Sequence, residues 1–330
     1  FMNRNKRVLI TGGSGFMGMH LITLLLERGY DILSVDKNEN KLIGDYQSEI
    51  CNILEPNKLC DIFNDFLPEI VVHLAARTDL NETKDINGYA DNIDGVKNLV
   101  NAINTAGSVN RVLVTSSQLV SKVGYVQKHE YDYCPNNLYG ESKVLTETIL
   151  RKADLPGVTW CILRPTTIWG EGVLHHYQKF LRMVMNSRYF HVGNSPLYKS
   201  YGYVRNSMFQ YVRFLEADEK KIHSNVFYIA DYEPLSIVNW ANLLACKFGA
   251  KKIKSMPIFI ARSLGYVGDM INLIGFKSFP FNSFRLNNIL TEYIFDMDKT
   301  KNITGNLPYT VDDGVNNTVE WFKSIESKNI

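Results

Sequence analysis

Tyr139 and Lys143 stand four residues apart in Tyr139-Gly140-Glu141-Ser142-Lys143, a spacing that puts both on one face of a helix, about one turn from each other. A phenol with an unperturbed pKa of about 10 is a poor base at neutral pH, and a nearby ammonium favours its phenolate. Earlier in the chain, Thr115-Ser116-Ser117 closes a predicted strand, so the Ser117 hydroxyl is available to hydrogen-bond an oxygen on which Tyr139 acts. Together the three side chains suit proton transfer at an alcohol. A Tyr-x-x-x-Lys spacing alone is common by chance, and its weight comes from the motifs that accompany it in order.

The strongest of these is Thr11-Gly12-Gly13-Ser14-Gly15-Phe16-Met17-Gly18, which follows an apolar strand and opens an amphipathic helix. Gly12 permits the tight turn, Gly15 lets backbone N–H groups approach a pyrophosphate, and Gly18 lets the helix pack closely on the strand, while the helix dipole favours the anion. The next strand ends in Val35-Asp36. A carboxylate there accepts hydrogen bonds from both ribose hydroxyls of an adenosine and repels a 2′-phosphate, which favours NAD. Lys37 beside it leaves NADP open. An oxidised nicotinamide held by this loop adds a second positive charge favouring the Tyr139 phenolate.

The elements that must position these groups are legible as alternating strands and helices. Strands are expected at Arg7 to Thr11, Asp31 to Asp36, Ile70 to Leu74, Val112 to Ser116 and Thr159 to Arg164, with a later one near Val226 to Ala230. Helical spacing runs through Gly18 to Arg28, Asn92 to Ala106 and Tyr139 to Arg151. This order predicts an α/β fold with a doubly wound parallel sheet. After Gly170 aromatics become frequent and, from Leu235, the pattern is mainly helical with breaks at Pro257, Pro280 and Pro308. The expected organisation is a dinucleotide-binding domain over 1–170, to which the strand near 226–231 returns, and a smaller substrate-binding lobe over 171–330.

Composition narrows the classes further. Hydrophobic residues at 45% and charged residues at 21% exclude a disordered or fibrous chain. Lys plus Arg number 36 against 34 acidic residues, with no long basic run, which argues against nucleic acid as a partner. The Lys220-Lys221 pair and the Lys251 to Lys254 cluster read as solvated faces. Cys51, Cys60, Cys134, Cys161 and Cys246 are odd in number and widely spread, without metal-ligand or redox spacing, so no metal is expected and the compartment is read as the reducing cytoplasm. The residues before Arg7 run straight into the first strand rather than into a signal-peptide core. The longest apolar stretch, Pro257 to Phe276, contains Arg262 and Asp269 and makes a poor membrane span.

Further motifs agree in order: His73-Leu74-Ala75-Ala76, Asn92-Ile93-Asp94-Gly95, Leu163-Arg164-Pro165-Thr166-Thr167-Ile168-Trp169-Gly170 and Asp312-Asp313-Gly314. With them the chain resembles, over nearly its whole length, the extended short-chain dehydrogenase/reductases, the family of UDP-galactose 4-epimerase, sugar-nucleotide dehydratases and 3β-hydroxysteroid dehydrogenases. The resemblance implies that Ser117, Tyr139 and Lys143 are the catalytic residues, with Lys143 also holding the nicotinamide ribose. It implies cofactor contacts from Gly12, Ser14, Gly15, Phe16, Met17, Gly18, Asp36, Leu74, Ala75, Ala76, Asn92, Ser116 and Pro165. Asn52-Ile53 stands where the family often has Asp-Ile or Asp-Leu against the adenine.

Departures from the family's patterns narrow the reaction. Dehydratases carry an Asp-Glu pair after the catalytic hydroxyl, where this chain has Gln118-Leu119, and leucine exchanges no protons. Epimerase-reductases that make GDP-fucose use a Cys at the Leu119 position with a His from the second lobe, so His176 lacks that partner. A diphosphate-binding Arg of many sugar-nucleotide members is replaced by Lys199, and Asn206 follows Tyr203-Val204-Arg205. Lys loses the bidentate geometry. Thr167, His176, Lys199 and Arg285 are the candidate substrate contacts. The apolar helix Pro257 to Phe276 and the segment Phe279 to Phe284 are also similar to hydroxysteroid-type members. The expected function is a sugar-nucleotide 4-epimerase or 4-ketoreductase, probed against a hydroxysteroid-type dehydrogenase and a non-catalytic NAD(P)-sensing protein. By resemblance the chain forms a homodimer through the helices beginning near Asn92 and Tyr139.

Overall fold

The β-branched and leucine runs build a seven-stranded sheet whose central strands are buried except at their leading arginines, Arg7 and Arg111. The computed structural model describes residues 6–193, 195–273 and 282–327. Its strands are β1 (Arg7–Thr11), β2 (Asp31–Asp36), β3 (Gln47–Ile50), β4 (Ile70–His73), β5 (Arg111–Thr115), β6 (Thr159–Pro165) and a last strand, Asn225–Ile229. They lie in the order Asn225–Ile229, β6, β5, β4, β1, β2, β3, every pair parallel. Val71 and Val72, Val8 to Ile10 and Val112 to Val114 are all buried, as a sheet covered on both faces requires. The predicted strands are present within a residue or two. β3 was not predicted, because all four of its residues are exposed at the sheet edge and show no apolar alternation.

Between these strands run α1 (Phe16–Leu26), α2 (Pro56–Phe66), α3 (Ala90–Ala106) and α4 (Leu138–Lys152). Pro56 at the first turn of α2 forfeits an N–H that has no intrahelical partner there. Gly107, in the left-handed region at φ 62°, ends α3. α4 begins under a side-chain cap: the Asn137 carbonyl oxygen accepts from the Gly140 N–H at 2.8 Å. Leu59, Phe63, Leu99 and Ile103 from α2 and α3 pack with Leu9, Val71 and Val112 of the sheet in one continuous core.

The chain divides into two compact units. The first takes the described residues up to Ile168, Gly202–Tyr232 and Asp296–Pro308; the second takes Trp169–Tyr201, Glu233–Phe295 and the described residues from Tyr309 on. Besides the strand expected to return near 226–231, the first unit takes in the rest of Gly202–Tyr232 and Asp296–Pro308. The strand Asn225–Ile229 returns to pair with β6, and the helix Val204–Glu216 packs on α1. Within the second unit, Trp240 of the helix Ile237–Phe248 stacks on Phe180 at 5.3 Å between ring centroids and meets Trp169 edge-on at 5.4 Å. No helix among the described residues is long and apolar enough to cross a membrane.

Candidate active site

The strand order reverses between β1 and β4, the point at which open α/β sheets leave a crevice beyond their carboxyl ends. The loops after both strands meet there. A Cβ on Gly12 would stand 2.6 Å from the Ala75 nitrogen and one on Gly18 would stand 2.4 Å from the Gly12 carbonyl oxygen, so only glycine lets the turn, the Leu74-Ala75-Ala76 loop and α1 approach so closely. Gly15 is the N-cap of α1, and neither a side-chain cap nor an acidic residue covers the first turn at Phe16 and Met17. That leaves a helix N-terminus suited to an anion.

Asp36 closes the crevice at the end of β2. One carboxylate oxygen accepts from the Ser14 N–H at 3.1 Å and the other from the Asn38 N–H at 2.9 Å, tying the end of β2 to the glycine loop. Lys37 turns to Asp91 at 3.3 Å. His73, buried at the end of β4, makes a 2.7 Å hydrogen bond between Nδ1 and Thr11 Oγ1, which also accepts from the Ala75 N–H. Burial, with Lys143 nearby, pushes the His73 imidazole down to about 3, so it links β1 to β4 as a neutral ring.

Tyr139 and Lys143 lie on α4 and Ser117 just beyond β5, all three buried. Their approach depends on Gly140, where a Cβ would stand 2.3 Å from the Leu119 carbonyl oxygen. The first turn of α4 therefore rests directly on the chain that follows Ser117. Burial pushes the Tyr139 phenol up to about 12, opposed by its hydrogen bond with Ser117 and assisted by Tyr89. Lys143 is pushed down to about 8 by burial, opposed by Glu147. Its ammonium donates to the Thr115 carbonyl oxygen at 3.1 Å. In this state burial, rather than the ammonium one turn away, sets the proton affinity of the phenol.

Two charged residues beneath this group went unassigned in the sequence reading. Glu147, one turn beyond Lys143, is fully buried, and its Oε1 accepts from Ser116 Oγ at 2.6 Å. Arg164 on β6 reaches both carboxylate oxygens of Glu147 at 2.8 Å through Nε and Nη2. Tyr133 donates to Oε2 at 2.7 Å. The remaining guanidinium donors go to Gln127 Oε1, Tyr228 and the Glu130 carbonyl. The signal for this pair is an arginine in the otherwise apolar run Trp160-Cys161-Ile162-Leu163 and a carboxylate on the Lys143 face of α4.

The other expected cofactor contacts are placed unequally. Asn92 is buried and its amide is spent locally: it accepts from the Arg77 N–H and donates to the Arg77 carbonyl and to Ser142 Oγ, thereby bracing α3 against the β4 loop and α4. Asn52 Oδ1 caps the Leu54 N–H in a tight turn, and Ile53 is buried against Gly95 of α3. Pro165 is the buried last residue of β6. Of the substrate candidates, Thr167 starts the short strand Thr167–Trp169. In the second unit Lys199 donates to the Asn288 carbonyl at 2.7 Å and burial pushes it down to about 8. Asn288 lies one turn beyond Arg285 on the helix Ser283–Leu290, where Arg285 is exposed. His176 belongs to the helix His175–Met185, and its side chain lies outside the described ones. The segment Phe279 to Phe284 falls partly outside the described residues.

The chain and its fold are similar to those of known proteins. The model of the NAD dependent epimerase/dehydratase family matches residues 8–230. A 3-beta-hydroxysteroid dehydrogenase of Mycolicibacterium neoaurum is 28% identical over 74% of this chain and 71% of its own. An N-acetyl-alpha-D-glucosaminyl-diphospho-ditrans,octacis-undecaprenol 4-epimerase of Escherichia coli O157:H7 is 28% identical over 96% of this chain and 95% of its own. Among solved structures, a UDP-glucose 4-epimerase of Thermotoga maritima crystallised with UDP-glucose is similar in fold, with a TM-score of 0.75 at 21% identity, covering 97% of this chain and 99% of its own.

Proposed function

The chain belongs to the NAD dependent epimerase/dehydratase family, and on that premise we propose that it is an NAD-dependent 4-epimerase or 4-ketoreductase of a diphosphate-linked sugar, nucleotide sugars first. The observation that carries this reading is that Ser117, Tyr139 and Lys143 are all buried, with Lys143 donating to the last carbonyl of β5 and the first turn of α4 resting on the chain after Ser117. Gly12, Ser14, Gly15, Phe16, Met17, Gly18 and Asp36 would hold the dinucleotide, with the loop Leu74 to Ala76 and Ser116 beside it and Lys143 at the nicotinamide ribose. NAD bound there supplies the hydride acceptor and donor.

Tyr139 takes the proton of the sugar 4-hydroxyl as its C–H bond gives up hydride, and Ser117 hydrogen-bonds the oxygen as it becomes a ketone. At about 12 the phenol of the free enzyme holds its proton tightly. The Lys143 ammonium one turn away, and the positive charge of the bound oxidised cofactor, act in the direction that releases it. With the cofactor held throughout, hydride given back to the other face of the same ketone, with the proton returned by Tyr139, would give epimerisation; reduction of a 4-ketone would need the cofactor to bind in its reduced form and the Tyr139 phenol to donate the proton. Within the second unit, Lys199 and Arg285 carry the kind of charge that a diphosphate needs. The relative from Escherichia coli O157:H7 extends the reading to a sugar diphosphate carried on a polyprenol, for which the chemistry at C4 is unchanged.

A hydroxysteroid-type dehydrogenase is the second reading, favoured by the relative from Mycolicibacterium neoaurum. A melting-temperature screen with NAD, NADP and UDP-, GDP-, CDP- and dTDP-sugars separates the two. Ligand at about 100 times its Kd adds about 2.7 kcal/mol to the native state. The expected result is a shift with NAD exceeding that with NADP, and a further shift with one class of sugar. NAD alone shifting the melting, together with oxidation of a 3β-hydroxysteroid, would replace the sugar reading. The enzyme is further proposed to work in the cytoplasm as a homodimer through α3 and α4, the faces pairing as a four-helix bundle. Sedimentation at micromolar concentration should give twice the chain mass; a monomer would remove the dimer.

A further inference from the structure

The helix Ile258–Leu273 is built inside out. Its buried positions are Ala261, Gly265 and Gly268, spaced four and three apart on one face, and this face of small residues packs on the helix Ser283–Leu290. Its large apolar side chains point the other way: Phe259 is 70% exposed, Tyr266 65%, Met270 62% and Leu273 86%, with Leu264 and Val267 beside them. Phe284 of the neighbouring helix is 57% exposed. A helix at the surface of a soluble unit ordinarily turns this face inward, and a contiguous apolar patch of this kind marks a surface that is covered in use.

The charges around it point to what covers it. Lys251, Lys252 and Lys254 are exposed and lead straight into the helix, and Arg262 is exposed on it. From 250 to 273 these four cations stand against one carboxylate, Asp269, which accepts from the Ser283 N–H at 3.2 Å. An isologous contact with a second copy sets the same patch against itself and brings cations near cations. An anionic lipid surface satisfies both features, since apolar side chains enter the acyl boundary while lysines meet the headgroups. Its described residues, 258–273, are not long and apolar enough to cross a bilayer, and their amphipathic arrangement suits the interface.

We propose that the helix Ile258–Leu273, with the lysines that precede it, docks this protein peripherally on an anionic membrane surface. The proposal stands apart from the substrate assigned above. It does accord with a substrate whose diphosphate is carried on a lipid.

The test is co-sedimentation of the full chain with phosphatidylcholine vesicles and with vesicles containing phosphatidylglycerol. The wild-type chain is expected to bind the anionic vesicles and to be released by high salt. Combined Phe259→Ser, Tyr266→Ser and Met270→Ser changes alter only exposed side chains, and should keep the wild-type melting temperature and NAD affinity while weakening vesicle binding by tenfold or more. Combined Lys251→Ala, Lys252→Ala and Lys254→Ala changes should lower binding to anionic vesicles on the order of a hundredfold and leave the weak binding to neutral ones unchanged. Wild-type chain that stays in the supernatant with both lipids would overturn the proposal. So would serine variants that bind vesicles as wild type does, or that lower the sedimenting mass of a chain that does not bind lipid, which would make the face a contact between copies.

Discussion

Tyr139→Phe is expected to lower turnover by about two to four orders of magnitude with NAD affinity and melting temperature close to wild type. The ring is buried and packs on Tyr89 at 6.0 Å between centroids, so phenylalanine keeps the packing and loses only the hydroxyl. The hydroxyl's hydrogen bond with Ser117 is its one interaction that opposes the upward push of burial. Losing it leaves Ser117 able to donate elsewhere, since Ser117 Oγ already accepts from the Leu119 N–H at 3.1 Å. The effect should fall on kcat, because the proton is transferred only as the alcohol reacts. The wild-type rate should also rise with pH up to the pKa of the phenol in the complex, and the variant should lose that rise. Variant turnover within a few-fold of wild type would take the role of base from Tyr139.

Glu147→Ala should be the most destabilising single change in the first unit, by about 3–5 kcal/mol, because it strands the Arg164 guanidinium in the interior. Ser116 and Tyr133 lose an acceptor in the same step. Against a total stability of about 5–15 kcal/mol, such a loss leaves little margin for folding. Glu147→Gln, which keeps one acceptor oxygen, turns the other into an NH2 donor and removes the charge, should fall between wild type and alanine. Where the glutamine variant folds, Lys143 loses the carboxylate that raises its pKa and drops further below about 8. Fewer Lys143 side chains then carry a charge at neutral pH. The midpoint of urea unfolding measures the first effect; a loss below about 1 kcal/mol would show the pair to be dispensable for stability.

The difference between these two residues shows what could be read in advance. Tyr139, Lys143, Ser117 and the glycine loop are local patterns, so their spacing alone predicts a shared helix face, a strand end and a turn. The parallel sheet was legible for the same reason, since buried strands such as Ile70-Val71-Val72 read as continuous apolar runs. Glu147 pairs with Arg164, seventeen residues on and on another element, and one carboxylate on a helix gives no sign of its partner. The upward push of burial on the Tyr139 phenol in the free enzyme is a property of the fold that the spacing of Tyr139 and Lys143 does not carry. The hydrogen bonds of Asn92 to Arg77 and Ser142 join residues fifteen and fifty positions apart, and the motif that contains Asn92 gives no sign of them. The units interleave because a strand near 226 pairs with β6, a contact set by sheet order.

The central claim is that hydride leaves a carbinol carbon of the substrate as Tyr139 takes the hydroxyl proton. It is tested most directly by a substrate deuterated at that carbon, chosen as the compound that shifts the melting temperature, with the product analysed by mass spectrometry. The label is predicted to slow turnover and to end either on the same carbon of the epimerised product or on the nicotinamide, with none in water. Deuterium released to solvent would mean that the carbon loses a proton instead, and would contradict hydride transfer at this site.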